Sequence, residues 1–133
     1  MIFIDTSAIY ALSDATDPWH AVARRRLEAL LGSGEDLLTH SYVLVESMAV
    51  VQRRLGVEAA LRLAEGAERF LVQWIDAPLH AEALRLFRSR GRSRSQPSFV
   101  DQVSFVVMRM RGVTTAFAFD AHFEEEGFRS PGD

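Results

Sequence analysis

Three apolar runs in this chain end on an aspartate: "IFID" at Asp5, "LVQWID" at Asp76 and "VTTAFAFD" at Asp120. A fourth, "DLLTH", lies between the first two, and longer helical segments separate them all. Short strands alternating with helices imply right-handed crossovers and a mostly parallel sheet with helices on both faces. In such sheets ligands sit at the carboxyl ends of the strands. A site therefore belongs where the aspartates are.

The helical segments carry their own punctuation. "TSAIYAL" follows the first strand. "DPWHAVARRRLEALLG" reads as a helix with Asp17 as N-cap, Pro18 at the first helical position and Gly32 as terminator. "SYVLVESMAVVQRRLG" runs from a Ser41 cap to Gly56, and "VEAALRLAEGAERF" follows it. "PLHAEALRLFRSR" is helical and "GRSRSQP" is the clearest loop. "SFVDQVSFVVMRMRG" is capped by Ser98 and stopped by Gly112, and "DAHFEEEG" opens a last short helix. Trp19 and Trp74 read as core residues. At 133 residues the chain is expected to form one domain, residues 1–133, burying about two-thirds of its unfolded surface.

Composition removes several classes. There is no cysteine, which excludes a disulfide scaffold and thiolate metal sites and fits a reducing compartment. No apolar run approaches the roughly 20 residues that span a bilayer. The N-terminus carries Asp5 among its apolar residues with no basic stretch before them, unlike a signal peptide. Cytoplasm is the expected location. A net charge of −3 argues against coating nucleic acid by bulk attraction. All 15 basic residues are Arg, with no Lys.

The acids divide unevenly. Asp5 is as well explained by a helix N-cap as by a metal ligand. Glu46 sits among Tyr42, Val43, Ala49 and Val50 at helical spacing, an expensive place for a carboxylate without compensation. Asp101 lies three residues after Ser98, as in a capping box, at the start of a helix pointing to the same edge. Asp120 again suits a cap. The residues alone do not separate Asp76 from Asp5 and Asp120, although "DAP" suits a cap. Glu124–Glu126 read as a solvated helix start. The histidines (His20, His40, His80, His122) have no metal-ligand spacing.

If these acids converge, two like charges about 4 Å apart repel by roughly 4 kcal/mol at an effective dielectric near 20. Such a cluster needs protons or a cation, and an all-oxygen donor set suits Mg²⁺ or Mn²⁺. One or two ions there would lower the pKa of a water, orient it and stabilise the oxygen leaving a phosphodiester. Thr6 or Ser7 is placed to hydrogen-bond a ligand carboxylate or the attacked phosphate.

"FIDTSAIYAL", "SYVLVES" and "SFVDQVSFVVMRMRGVTTAFAFDAHFEEEGF", with the spacing among them, resemble the PIN-domain family and its VapC-type toxins over essentially the whole chain. The resemblance implies a compact three-layer α/β fold with a four- to five-stranded sheet flanked by helices. It places metal-binding and catalytic acids on Asp5, Glu46, Asp101 and Asp120, with Thr6 and Ser7 as the small hydroxyl residues. It favours leaving Asp76 out. It further implies Mg²⁺- or Mn²⁺-dependent endoribonuclease activity on tRNA or another structured RNA, inhibition by a VapB-like antitoxin, and a homodimer. His122 stands where many members carry another acid, which bears on a second ion.

RNA requires cations near such a site, and Arg92 and Arg94, with Arg88 and Arg90, precede the Asp101 helix in "RSRGRSRSQPS". A phosphate clamp and a solvated loop explain them equally. Haloacid-dehalogenase-like phosphatases need Asp-x-Asp after the first strand, and this chain has Asp5–Thr6–Ser7. Response-regulator receivers need a lysine that is absent. A catalytically silent RNA- or protein-binding module is the remaining alternative, against which stand all four acids.

Overall fold

A computed structural model describes residues 1–132. Its elements are β1 (Ile2–Ile4), α1 (Thr6–Ser13), α2 (His20–Gly32), β2 (Leu37–His40), α3 (Ser41–Leu55), α4 (Val57–Ala67), β3 (Leu71–Gln73), α5 (Ala77–Ser89), α6 (Phe99–Arg111), β4 (Ala116–Phe117) and α7 (His122–Glu125). The four strands form one parallel sheet in the order β3-β2-β1-β4. Both central strands are buried along their whole length, which is why they read as unbroken apolar runs. Helices α1 to α4 pack against one another as one group and α5 against α6 as another, the two groups flanking the sheet.

Register fixes the site. Phe3 pairs with Ala116 and Ile4 with Phe117, and the Asp5 N–H donates to the Phe117 carbonyl at 3.0 Å. Asp5 and Asp120 are thereby delivered to one edge by adjacent strands.

Several boundaries differ from the sequence reading. Helix α2 begins at His20, and Asp17 instead closes a turn by accepting the Trp19 N–H at 2.8 Å. The third strand stops at Gln73, and Asp76 caps α5 by accepting the Leu79 N–H at 3.0 Å. The fourth strand shortens to two residues, with a single bridge from Thr115 to Arg129 beside it. Trp19 and Trp74 are not core: they are 51% and 68% exposed.

The cap of α3 is His40, not Ser41. Its Nδ1 accepts the N–H groups of Tyr42 (3.2 Å) and Val43 (3.3 Å), which puts the ring proton on Nε2, 2.9 Å from Ser104 Oγ. Ser104 in turn donates to the Val100 carbonyl at 3.0 Å. One buried imidazole thus ties β2 and α3 to α6. Ser41 Oγ accepts the Ile75 N–H at 2.9 Å, joining the turn after β3 to α3.

Burial pushes the His40 ring down from 6.5 to about 3. A folded pKa below the unfolded one means its contribution is full above about pH 6.5 and is lost as pH falls toward 3. His40→Ala is expected to lower the unfolding free energy by about 3 kcal/mol at pH 7.5 in urea titrations, by loss of packing and of both hydrogen-bonded connections. A change within 0.5 kcal/mol would mean that the imidazole does not hold these elements together.

Candidate metal centre

Asp5, Asp101 and Asp120 each bring a carboxylate oxygen within 4.8 Å of the others. They arrive from three elements: the end of β1, the first turn of α6 and the segment between β4 and α7.

Each is held by neutral donors. Asp5 is 3% exposed and caps α1, with Oδ2 accepting from Ser7 Oγ (2.8 Å) and Ser7 N–H (3.2 Å). Ser7 Oγ itself accepts the Phe119 N–H at 2.9 Å, so one hydroxyl ties Asp5 to the segment carrying Asp120. Asp101 completes the capping box: its Oδ2 accepts the Ser98 N–H while its own N–H donates to Ser98 Oγ, both at 3.1 Å. Asp120 Oδ1 accepts the His122 N–H at 2.9 Å. The capping and clustering explanations for these acids are therefore not alternatives. Each side chain does both.

Crowding shows in the protonation of Asp5. Burial first, then the negative charges of Asp101 and Asp120, raise its carboxyl from 3.8 to about 7, against the lowering effect of the Ser7 hydrogen bonds. Asp101 is also raised, by burial first and then by Asp120, with the Ser98 hydrogen bonds and the attraction of His122 opposing. The donor set is all carboxylate oxygen, so these residues fit a hard divalent cation better than zinc or a soft metal.

The other candidates are not members of this triad. Glu46 is half-buried on α3 and outside the three-acid group. Thr6 Oγ1 is buried with no hydrogen-bond partner. Arg92 and Arg94 are exposed in the loop between α5 and α6. Arg90 in that loop is already committed, donating to Gln102 Oε1 at 2.6 Å and pairing with Glu126. Glu126, read from sequence as solvated, pairs also with Arg109 at 2.8 Å. Against its burial, hydrogen bonds from Arg109 and Arg90 hold its carboxyl below the ordinary range. Asp76 stays with its cap and takes no part in the cluster. His122 contributes its backbone N–H to the site, and its ring lies 3.7 Å from Glu125.

Sequence reading missed the Ser7–Phe119 connection and the Arg90–Glu126–Arg109 group. Neither has a local signal, because each joins residues far apart in the chain. The only hint was the small hydroxyl two residues after Asp5.

Residues 2–128 match the family described as PIN domain. The chain is 36% identical to a protein named 23S rRNA-specific endonuclease VapC20 from Mycobacterium tuberculosis, in both strains H37Rv and CDC 1551, covering 96% of this chain and 95% of the relative. Its fold superposes on a crystal structure of Mycobacterium tuberculosis VapC20, described as a sarcin-ricin-loop-cleaving toxin, with a TM-score of 0.82 and 34% identity over 96% of both chains.

Because the folded pKa of Asp5 lies above its ordinary value, its stabilising contribution is full below about pH 4 and is lost as pH rises through about 7. In EDTA, Asp5→Asn is expected to melt on the order of 10 °C above wild type at pH 8, with the gap closing by pH 4 to 5. Mn²⁺ should narrow the gap at pH 8 by stabilising wild type more than the variant. Equal melting curves at pH 8 in EDTA would show that the acids do not strain the fold.

Proposed function

The chain belongs to the PIN-domain family, in its VapC-type branch, and on that premise we propose that it is a Mg²⁺- or Mn²⁺-dependent endoribonuclease acting as the toxin of a toxin–antitoxin pair. The observation that carries this reading is the convergence of Asp5, Asp101 and Asp120, whose close donors are all neutral. Negative charge concentrated in this way is suited to an external cation.

In this reading the three aspartates hold one or two ions, and Glu46 completes the set from α3. A bound divalent ion supplies Lewis-acid chemistry, lowering the pKa of a water and offsetting charge on the phosphate. The chain's own groups do the rest. Ser7 Oγ donates to Asp5 and accepts from the Phe119 N–H, which supports a role in positioning the acid as well as the substrate. Thr6 Oγ1, enclosed and without a partner at the start of α1, is the hydroxyl left for a phosphate oxygen, which it would reach by turning its side chain outward. Arg92 and Arg94 supply phosphate contacts from the exposed loop. No covalent nucleophile is needed.

The relative's description makes the sarcin-ricin loop the first RNA to test, ahead of tRNA. A groove of about 470 Å³ between α1, α2 and α4, lined by Leu12, Leu27, Leu31, Leu63 and Phe70, suits an amphipathic helix of a VapB-like antitoxin. A single nuclease domain over residues 1–133, a homodimer and a cytoplasmic location complete the proposal. Among the described residues no helix is long and apolar enough to cross a membrane.

The test is cleavage of a sarcin-ricin-loop hairpin and a tRNA pool by the purified protein with Mn²⁺, Mg²⁺ or EDTA. Asp5→Asn, Asp101→Asn and Asp120→Asn are each expected to lower kcat at least about 10³-fold while leaving the circular dichroism spectrum intact; Glu46→Gln should cost less. A folded protein that binds Mn²⁺ yet cuts none of these RNAs would favour the silent-module alternative. Cutting that survives EDTA or Asp5→Asn would remove the metal centre from the chemistry.

Loss of Arg92 and Arg94 together should reduce the slope of log KM against log salt by about 1.4, since each contact to single-stranded RNA contributes roughly 0.7. An unchanged slope would return this loop to solvent.

A further inference from the structure

Trp19 is half exposed, yet it is firmly held. Its indole stacks on Phe119 with ring centroids 5.0 Å apart and an interplanar angle of 19°. Its backbone N–H is fixed by Asp17, and the next residue, His20, bonds through Nδ1 to the Ala11 carbonyl at 2.7 Å. Phe119 is equally constrained: Phe117 lies edge-on at 5.8 Å and the Arg26 guanidinium sits 5.6 Å from its ring centroid.

Phe119 immediately precedes Asp120, and its N–H bonds to the same Ser7 hydroxyl that bonds to Asp5. The exposed indole therefore rests on a residue locked into the acid cluster. Trp19, Val22, Arg25 and Arg26 also line one hollow of about 450 Å³. An exposed indole and an exposed arginine thus share a wall of one hollow, and Phe119 links that indole to the cluster.

We propose that Trp19 is a stacking platform for an unpaired nucleobase next to the phosphate engaged at the acid cluster, with Arg25 facing the adjoining backbone. The proposal rests on the endoribonuclease reading above and adds to it the place where the RNA strand is gripped. An RNA loop is the occupant this chemistry fits best. Single-stranded RNA is recognised chiefly by bases splayed onto aromatic side chains, and any base offers a π-face. Stacking also needs no positive charge, which matters in a chain of net charge −3. Trp19 is here a substrate-positioning residue, not one that touches the reacting atoms.

The experiment uses the full chain carrying Asp5→Asn, to prevent cutting, and Trp74→Phe, so that Trp19 is the only indole. The probe is a hairpin RNA with the sarcin-ricin loop sequence in Mg²⁺. Binding should quench Trp19 emission, Trp19→Ala should weaken affinity about tenfold, and Trp19→Phe should retain most of it. In a second arm, abasic nucleotides are walked singly through the RNA loop. One position should cost the Trp19 protein about tenfold and the Trp19→Ala protein less than twofold. That loss in the unaltered Trp19 protein stands even if Trp19→Ala loosens its turn.

RNA that binds without quenching, with equal affinity for the alanine variant and no sensitive abasic position, would overturn the platform. Wild-type cleavage separates the two readings. If wild type cuts and Trp19→Ala cuts with unchanged KM, only the platform falls; if wild type neither binds nor cuts RNA, the nuclease reading falls and the platform with it.

Discussion

The structure turns on three carboxylates placed at the carboxyl edge of a four-stranded parallel sheet. The hydrogen bond from Asp5 N–H to the Phe117 carbonyl sets β1 against β4, and Asp120 follows three residues later. Helix α6 then brings Asp101 to the same edge by its first turn. A sheet able to bury its central strands in this order has little freedom to keep the acids apart. Their crowding is a consequence of the topology, and burial first and their mutual repulsion second raise the pKa of Asp5.

What surrounds these acids matters as much as their proximity. The chain has 15 arginines, so cationic partners are not scarce. It uses them elsewhere: Arg90 and Arg109 converge on Glu126, at the far end of the segment that begins with Asp120. At the acid cluster the donors are a hydroxyl and backbone N–H groups. Neutral donors fix carboxylate orientation without cancelling charge, whereas a guanidinium would do both and would occupy the place of a cation. The ion pairs brace the frame, and the neutral hydrogen bonds keep the site available.

The fold was legible because its signals are local and periodic. Strand–helix alternation predicted the parallel sheet, and the Ser98 and Gly112 boundaries of α6 were read correctly from cap chemistry. Errors fell where tertiary partners override local pattern. His40 caps α3 although Ser41 is the better capping residue by propensity, because Ser41 is drawn to Ile75. Trp19 and Trp74 looked like core because large aromatics usually bury, and sequence carries no measure of which faces remain uncovered. At the site, Asp5, Asp101 and Asp120 were candidates from their positions at element ends, but separating Asp5 and Asp120 from Asp76 required the family pattern. Geometry makes the distinction physically: Asp76 follows β3, an edge strand that ends before reaching it. Glu46 shows the limit of periodicity, since an apolar neighbourhood at helical spacing yields only a half-buried residue.

On the proposed function, an acidic chain has to engage RNA against an electrostatic handicap, and the layout of its charges offers a way to meet it. A broad basic surface would grip any nucleic acid, with affinity falling steeply in salt as counterions are released. Here positive charge is confined to loop and helix positions such as Arg92, Arg94 and Arg25, while the cluster itself repels phosphate unless a cation bridges them. On that reading, binding would be favourable only where three demands coincide: a phosphate at the acid cluster with its cation, backbone within reach of few arginines, and a base free to leave its stack. A regular duplex satisfies the first two more readily than the third, because its bases are paired and stacked. Weak general attraction combined with a neutral aromatic contact would thus select exposed loops over helical RNA, with discrimination arising from RNA shape before any base edge is read.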